Sequence, residues 1–221
     1  MGFLSYFQLS VIEISFIIFT VFIASIIRGF NGFGFSATCI SLISFILPTI
    51  EIVPIILILE VLVSVFMIPY IWSKIDWKFV FQILIGITIG TPIGLYLLKF
   101  LSPSITHLLI CGIVIFFVIL QMRGYSNKKI NNLPVKILTG GVSGIVNGFG
   151  TLGGMPVSLF LLITRVRPMI IRGSLAAIFF LTDAYAFGLS YLGGIVDLTV
   201  IYRALILLSL IHISEPTRLR R

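Results

Sequence analysis

The chain alternates long apolar runs with short polar breaks, and the runs set its architecture. Apolar stretches cover residues 7–27, 33–47, 52–72, 79–98 and 104–122. A polar stretch, RGYSNKKINNLP (Arg123 to Pro134), then divides the chain. Beyond it the apolar pieces are shorter, at about 137–147, 153–164, 173–192 and 198–207. None shows the polar/apolar alternation of a transmembrane strand, so a β-barrel is excluded. Crossing a hydrocarbon core of about 30 Å takes about 20 apolar residues in a helix, and the longer runs reach that length. The pattern predicts an all-α polytopic membrane protein.

Composition supports this and removes one class outright. Of 221 residues, 59% are hydrophobic and 10% charged, which leaves too little polar surface for a soluble single-core domain or a soluble enzyme. The first apolar run lacks a basic n-region and is followed by Arg28 and a glycine-rich stretch. It is therefore expected to stay as a helix and not to be removed as a signal peptide. Trp72 and Trp77 bracket a short Lys-Ile-Asp turn, as aromatic anchors do at a membrane interface.

Charge orients the layout. If every apolar segment crosses, Arg28, Lys74, Lys78, Arg123, Lys128, Lys129, Lys136, Arg165, Arg167 and Arg172 share one face, and only Lys99 and Arg203 fall on the other. The positive-inside rule makes the basic face cytoplasmic, in a cell membrane with the N-terminus outside. A version with re-entrant loops at 33–47 and 153–164 would carry Arg165, Arg167 and Arg172 outside, and is rejected on that ground. Two half-helices at 137–147 and 153–164 would keep the charges in place, and charge counting does not separate them from two short spans.

The last residues are set apart from this count. LSLIHISEPTR (Leu208 to Arg218) looks like the in-frame translation of a common transposase sequencing-library adapter, so residues 208–221 are excluded from fold reasoning. Without them the formal charge falls from +8 to +6, and His107 is the one histidine left.

A repeat organises what remains. NGFG at Asn31 to Gly34 recurs at Asn147 to Gly150, each followed by a short apolar segment and a proline, Pro48 and Pro168. The chain divides into a first half with its connecting helix (1–122), a cytoplasmic linker (123–134) and a second half (135–207). Five crossings separate the copies, and an odd number implies opposite orientation, the arrangement of an inverted-repeat transporter.

The glycine clusters are the first candidates for chemistry. From Lys136 to Arg165 there is too little chain for two full helices and a loop, so broken helices are expected there. Broken helices at membrane depth are tolerated where they line a cavity or pack inside protein. A helix start at GFGTLGG (Gly148 to Gly154) would offer amides and a positive dipole end to an anion. Pro156, just after it, suits a first helical turn. Asn31, Gly32, Gly34, Asn147, Gly148, Gly150, Gly153 and Gly154 are accordingly candidate substrate contacts. Gly86, Gly90 and Gly94, spaced by four, read instead as close helix packing.

Charged residues inside apolar spans are the second set, because they are costly there. Glu60 and Asp183 occupy roughly equivalent places in the two halves and are candidates for proton or cation coupling. A protonated carboxyl hydrogen-bonded within the bundle is the plainer alternative. Glu13 lies near the chain's outer end and reads as interfacial. Arg28 and Arg172 flank the glycine motifs and either hold an anion or anchor topology, while Arg165 and Arg167 read as anchors. His107, after a Ser-Pro-Ser turn, reads as a loop-end residue. Cys39 and Cys111 are isolated in apolar segments, with no metal-ligand spacing. No nucleotide-binding loop, cofactor motif or catalytic constellation is present in the sequence, so no enzyme activity, cofactor or nucleic-acid partner is expected.

Five stretches, in three groups, together resemble the TauE/SafE sulfite exporter family, also called the anion permease family. They are RGFNGFGFSA (Arg28 to Ala37) with VPIILILEVLVS (Val53 to Ser64), GTPIGLYLLKFLSP (Gly90 to Pro103), and GFGTLGGMPVSLFLL (Gly148 to Leu162) with IIRGSLAAIFFLTDA (Ile170 to Ala184). The first glycine motif, GFGFSA, keeps fewer glycines than the family pattern. The resemblance implies two homologous halves that move a small anion such as sulfite, a sulfonate or a related organic acid. It leaves substrate, direction and homo-oligomerisation open. The rival reading is a non-transporting membrane partner of another complex.

Overall fold

The computed structural model describes residues 10–125, 127, 130–196, 200 and 204; within helices, the side chains of residues 31, 66, 68 and 70 lie outside the description. The proposed last span, 198–207, and the adapter-like tail, 208–221, therefore lie outside it, apart from the two isolated positions Val200 and Ala204. Among the described residues all regular structure is helical: α1 (Val11–Asn31), α2 (Phe35–Ile43), α3 (Thr49–Ile71), α4 (Trp77–Phe100), α5 (Pro103–Met122), α6 (Leu133–Gly150), α7 (Gly154–Ile163) and α8 (Pro168–Leu192), with a short 3-10 turn at Trp72–Lys74. Four are long and apolar enough to cross a membrane: Val11–Phe30, Trp77–Phe100, Pro103–Met122 and Pro168–Leu192. Helix α3, with 23 residues, is of the same length.

Local sequence starts these helices. Ser10 and Glu13 form a capping box at α1, the Ser10 hydroxyl accepting from the Glu13 amide at 3.3 Å and the Glu13 carboxylate from the Ser10 amide at 2.7 Å. That gives Glu13 a capping role at the exposed helix end. Asp76 caps α4 and Asn132 caps α6 through their side chains. Pro103 and Pro168 begin α5 and α8, where a missing amide hydrogen costs nothing.

The short segments depart from the boundaries read in the sequence. At 1.5 Å per residue, α2 and α7 are about 14 and 15 Å long, half a hydrocarbon core. The interruption after α1 falls on Gly32 and Gly34, whose φ angles of 80° and 98° favour glycine. In the second half the NGFG residues stay helical, and α6 runs to Gly150. The chain turns instead at Thr151, at φ 54°, a left-handed position that is costly for a β-branched residue. Its amide bonds the Asn147 carbonyl at 2.7 Å and its hydroxyl the Gly150 carbonyl at 2.7 Å.

The tightest helix contact is between α4 and α6, and glycine makes it. A Cβ on Gly86 would overlap the Ile137 and Gly141 backbone, on Gly90 that of Gly141 and Ile145, and on Gly94 that of Ile145 and Phe149. From the other side, Gly140, Gly144 and Gly148 have no more room against Ile83, Ile87 and Thr91. The two backbones touch because both helices present glycine every fourth residue. Contacts advance in the same direction along both, so α4 and α6 run parallel.

The basic segments gather at one end of this bundle. The Asp76 amide donates to Ser174 Oγ at 3.1 Å, the Asn127 amide to the Ile163 carbonyl at 3.0 Å, and Lys136 Nζ to Gln82 Oε1 at 2.9 Å. Lys99 lies at the other end, donating to the Gly193 carbonyl at 3.2 Å. Arg28 leaves the set of loop charges. Its side chain is 2% exposed, inside the bundle.

Gly90→Leu or Gly144→Leu is expected to destabilise the folded protein by at least the about 1–3 kcal/mol typical of overpacking. Gly112 and Gly188, which have open space where a Cβ would go, serve as controls expected to stay within about 0.5 kcal/mol as leucine. Thermal unfolding in detergent micelles distinguishes the two classes; equal melting of all four variants would contradict the glycine interlock.

Candidate functional site

Buried polar residues from four helices meet around Arg28. This residue lies in the last turn of α1, and its guanidinium forms a buried ion pair with Glu60, the middle residue of α3. Its Nη2 donates to Ser64 Oγ at 2.9 Å. Ser64 lies one turn after Glu60, on the same face of α3. The guanidinium carbon also stands 5.1 Å from the ring centroid of Phe179 on α8, within cation–π range. Three helices thus hold one cation in a region where removing an ionic partner would leave a buried, uncompensated charge.

A second constellation continues from Phe179. Asp183 lies one turn further along α8 and is 1% exposed. Asn147 Nδ2, on α6, donates to its Oδ1 at 2.9 Å, and Thr182 Oγ1 to the same oxygen at 3.5 Å. The Arg28 charge also acts on Asp183 electrostatically. The amide oxygen of Asn147 accepts the Gly153 amide at 3.3 Å, and Ser143 Oγ donates to the Gly153 carbonyl at 2.6 Å. Asn147 therefore ties the acid of α8 to the turn that starts α7.

Close approach explains the glycines of that turn. A Cβ on Gly153 would stand 2.7 Å from the Asn147 Cβ, and one on Gly154 would enter the Phe179 ring. The start of α7 has no side-chain cap, and Pro156 occupies its first turn. Its N-terminus consequently abuts both the Asn147 amide and the ring that covers Arg28, with the positive end of its dipole towards them.

The structure brings together Arg28, Glu60, Asn147, Gly153, Gly154 and Asp183. It separates the others. Gly148 is part of the α4–α6 interlock, and Gly150 packs against Ile110 and Ile40. Gly32 and Gly34 form the α1–α2 turn. Arg172 is exposed, but its stem lies against Gly32, where a Cβ would meet its Cγ at 3.0 Å. The Asn31 side chain lies outside the described residues. Four participants escaped the sequence reading: Ser64, Ser143, Phe179 and Thr182. Ser64 and Phe179 sit one helical turn from an intramembrane acid, and Thr182 is next to one, which is the signal that could have found them.

Among the described residues no group of three or more His, Cys, Asp or Glu side chains is placed to hold a metal ion. What the arrangement can do is bind charge: it offers one fixed cation, two carboxylates and the start of a helix, in a site closed to bulk water.

Arg28→Met is expected to cost about 3–5 kcal/mol, because it strands a buried carboxylate. Adding Glu60→Leu should restore part of that loss, giving a coupling energy in a double-mutant cycle. Arg172→Gln, at an exposed position, should stay within about 0.5 kcal/mol. Chemical denaturation of the purified variants reads all four values, and a strictly additive cycle would refute the pairing.

No curated protein and no solved structure matches the chain. A family model does, the one described as Sulfite exporter TauE/SafE, over residues 17–214. The match runs from within α1 to the end of α8 and covers every residue of the buried polar cluster. The chain belongs to the TauE/SafE sulfite exporter family, a family of membrane transporters.

Proposed function

We propose that the protein is a secondary transporter that carries a small anion, such as sulfite, a sulfonate or a related organic acid, across the cytoplasmic membrane. The observation that carries this reading is the buried Arg28, held between α1, α3 and α8 beside Glu60 and Asp183. An intramembrane cation flanked by acids suits an anion pathway with proton or cation coupling. Arg28 is the primary anion contact, the start of α7 at Gly153 and Gly154 a second, and Glu60 and Asp183 the coupling groups. Asn147 holds Asp183 and the α7 start in mutual register. Gly148 and Gly150 act through helix packing beside the site, and Gly32, Gly34 and Asn31 through the α1–α2 turn that brings Arg28 to it. Arg172 guards the cytoplasmic approach.

Two halves of opposite orientation would move against each other to expose this site alternately. The parallel course of α4 and α6 supports that symmetry. With three helices between them, α3, α4 and α5, the α1–α2 and α6–α7 pairs would enter the membrane from opposite faces. The gathering of basic segments at one end supports a cytoplasmic assignment for that end and an outside N-terminus. An inside-negative potential favours anion efflux by about 2.3 kcal/mol per charge per 100 mV, which fits export.

Labelled-sulfite counterflow in proteoliposomes tests the reading, with sulfate, thiosulfate, sulfoacetate and acetate as competitors. Saturable counterflow with selective competition is expected, and Arg28→Gln should reduce it at least a hundredfold. Undiminished counterflow in Arg28→Gln would remove the residue from the pathway. No counterflow with any competitor, from folded protein, would contradict anion transport of this class.

A further inference from the structure

We propose that Glu60 occupies the substrate's own seat on Arg28, so that an anion binds only as Glu60 takes up a proton and releases the guanidinium. This inference rests on the anion-transport reading above and specifies how the site couples anion to proton.

The charges force the exchange. The cluster contains one cation, Arg28, and two acids, Glu60 and Asp183, all no more than 2% exposed. An anion arriving while both acids are ionised would set three negative charges against one positive charge, away from water. Such an arrangement is strongly disfavoured in a medium of low dielectric. The two acids differ in what holds them. Asp183 accepts from Asn147 at 2.9 Å and from Thr182 at 3.5 Å. Glu60 is held by Arg28 itself, the group that an anion would also take. Glu60 is therefore the acid that gives way.

Arg28 also keeps its place when Glu60 leaves. Ser64 accepts from Nη2 at 2.9 Å, and the Phe179 ring lies 5.1 Å away, so neither support depends on the carboxylate. The incoming anion takes the hydrogen bonds that Glu60 gives up. One proton from the water phase adds to a Glu60 carboxylate oxygen, giving a neutral carboxylic acid, and no other bond is made or broken. For a monoanion the loaded site has the same net charge as the empty one.

Other ionisable groups on the neighbouring helices stand apart from this exchange. On α4, Lys78 and Tyr96 are exposed and Lys99 bonds the end of α8. On α6, Lys136 bonds Gln82. On α5, His107 packs edge-on against Phe45, and Cys111 is half-buried. On α8, Tyr185 donates to the Thr88 carbonyl, Tyr191 is exposed and Arg172 lies at the exposed start. Glu51 lies in the first turn of α3 itself, and the Cys39 thiol of α2 is enclosed in the apolar cluster around α3. Arg28 from α1 is the charge paired with Glu60, and the same Arg28 charge acts on Asp183 from α8.

The test is the infrared difference spectrum of the full-length protein on adding sulfite, with labelled-sulfite counterflow measured on the same preparations. Wild type should gain the carbonyl stretch of a protonated carboxylic acid; Glu60→Gln should lack that gain, and Asp183→Asn should keep it. In counterflow, the apparent KM of wild type should rise about tenfold more per pH unit than that of Glu60→Gln once Glu60 is ionised. Counterflow without a carboxyl gain in wild type, a gain that survives Glu60→Gln, or equal pH slopes in the two proteins would each overturn the exchange while leaving anion transport intact. If wild type shows no counterflow, it is the transport reading that fails, and the exchange falls with it. If Glu60→Gln does not fold, wild type and Asp183→Asn still test the exchange: no gain in wild type, or a gain lost in Asp183→Asn, overturns it.

Discussion

A guanidinium buried between three apolar helices constrains most of this molecule. Arg28 can stay charged inside the bundle only where an acid, a hydroxyl and an aromatic face converge on it, and these come from α3 and α8. That requirement fixes the register of α1 against both helices. It also fixes where the chain must reverse: Gly32 and Gly34 take left-handed backbone just after Arg28, letting α2 turn back without moving the charge. The stem of Arg172 seats on Gly32, so the start of α8 is positioned by the same turn.

The rest of the bundle divides into a stiff part and a polar part. Six glycines lock α4 to α6 backbone to backbone, a contact with no side-chain slack to allow sliding. The C-terminal end of α6 then presents Asn147, which bonds both Asp183 and the first amide of the α7 turn. The locked pair thus serves as a frame, and the charged cluster sits where that frame meets α1, α3 and α8. In a transporter this separation is useful: packing resists deformation, while an ion pair can exchange partners as protons and substrates arrive.

The fold class and much of the site were legible in the sequence because the membrane makes polarity informative. Glu60 and Asp183 stood out as acids within apolar runs, Gly86, Gly90 and Gly94 as a packing stripe, and NGFG as a repeated break. The structure agrees on the first two and shifts the third. NGFG at Asn147 remains helical, since glycine tolerates helix as well as turn when α4 packs against it, and the reversal moves to Thr151. Arg28 was legible as a residue of interest, but not as buried or as paired with Glu60. That contact links positions 32 residues apart on two helices, and local pattern carries no information about which helices meet. Phe179 was hidden for another reason: in a chain with 20 phenylalanines, one over a cation has no distinguishing signal except its distance of one turn from Asp183.

The central claim is that an anion binds inside the bundle on Arg28. Crystals of the protein grown with selenite, a heavier stand-in for sulfite, test it directly through the anomalous signal of selenium. The account predicts a selenium peak within hydrogen-bonding reach of the Arg28 guanidinium, between α1, α3 and α8, with the Glu60 carboxyl displaced from it. Selenium bound only at exposed basic residues such as Arg172, with the Arg28–Glu60 pair intact, would contradict it.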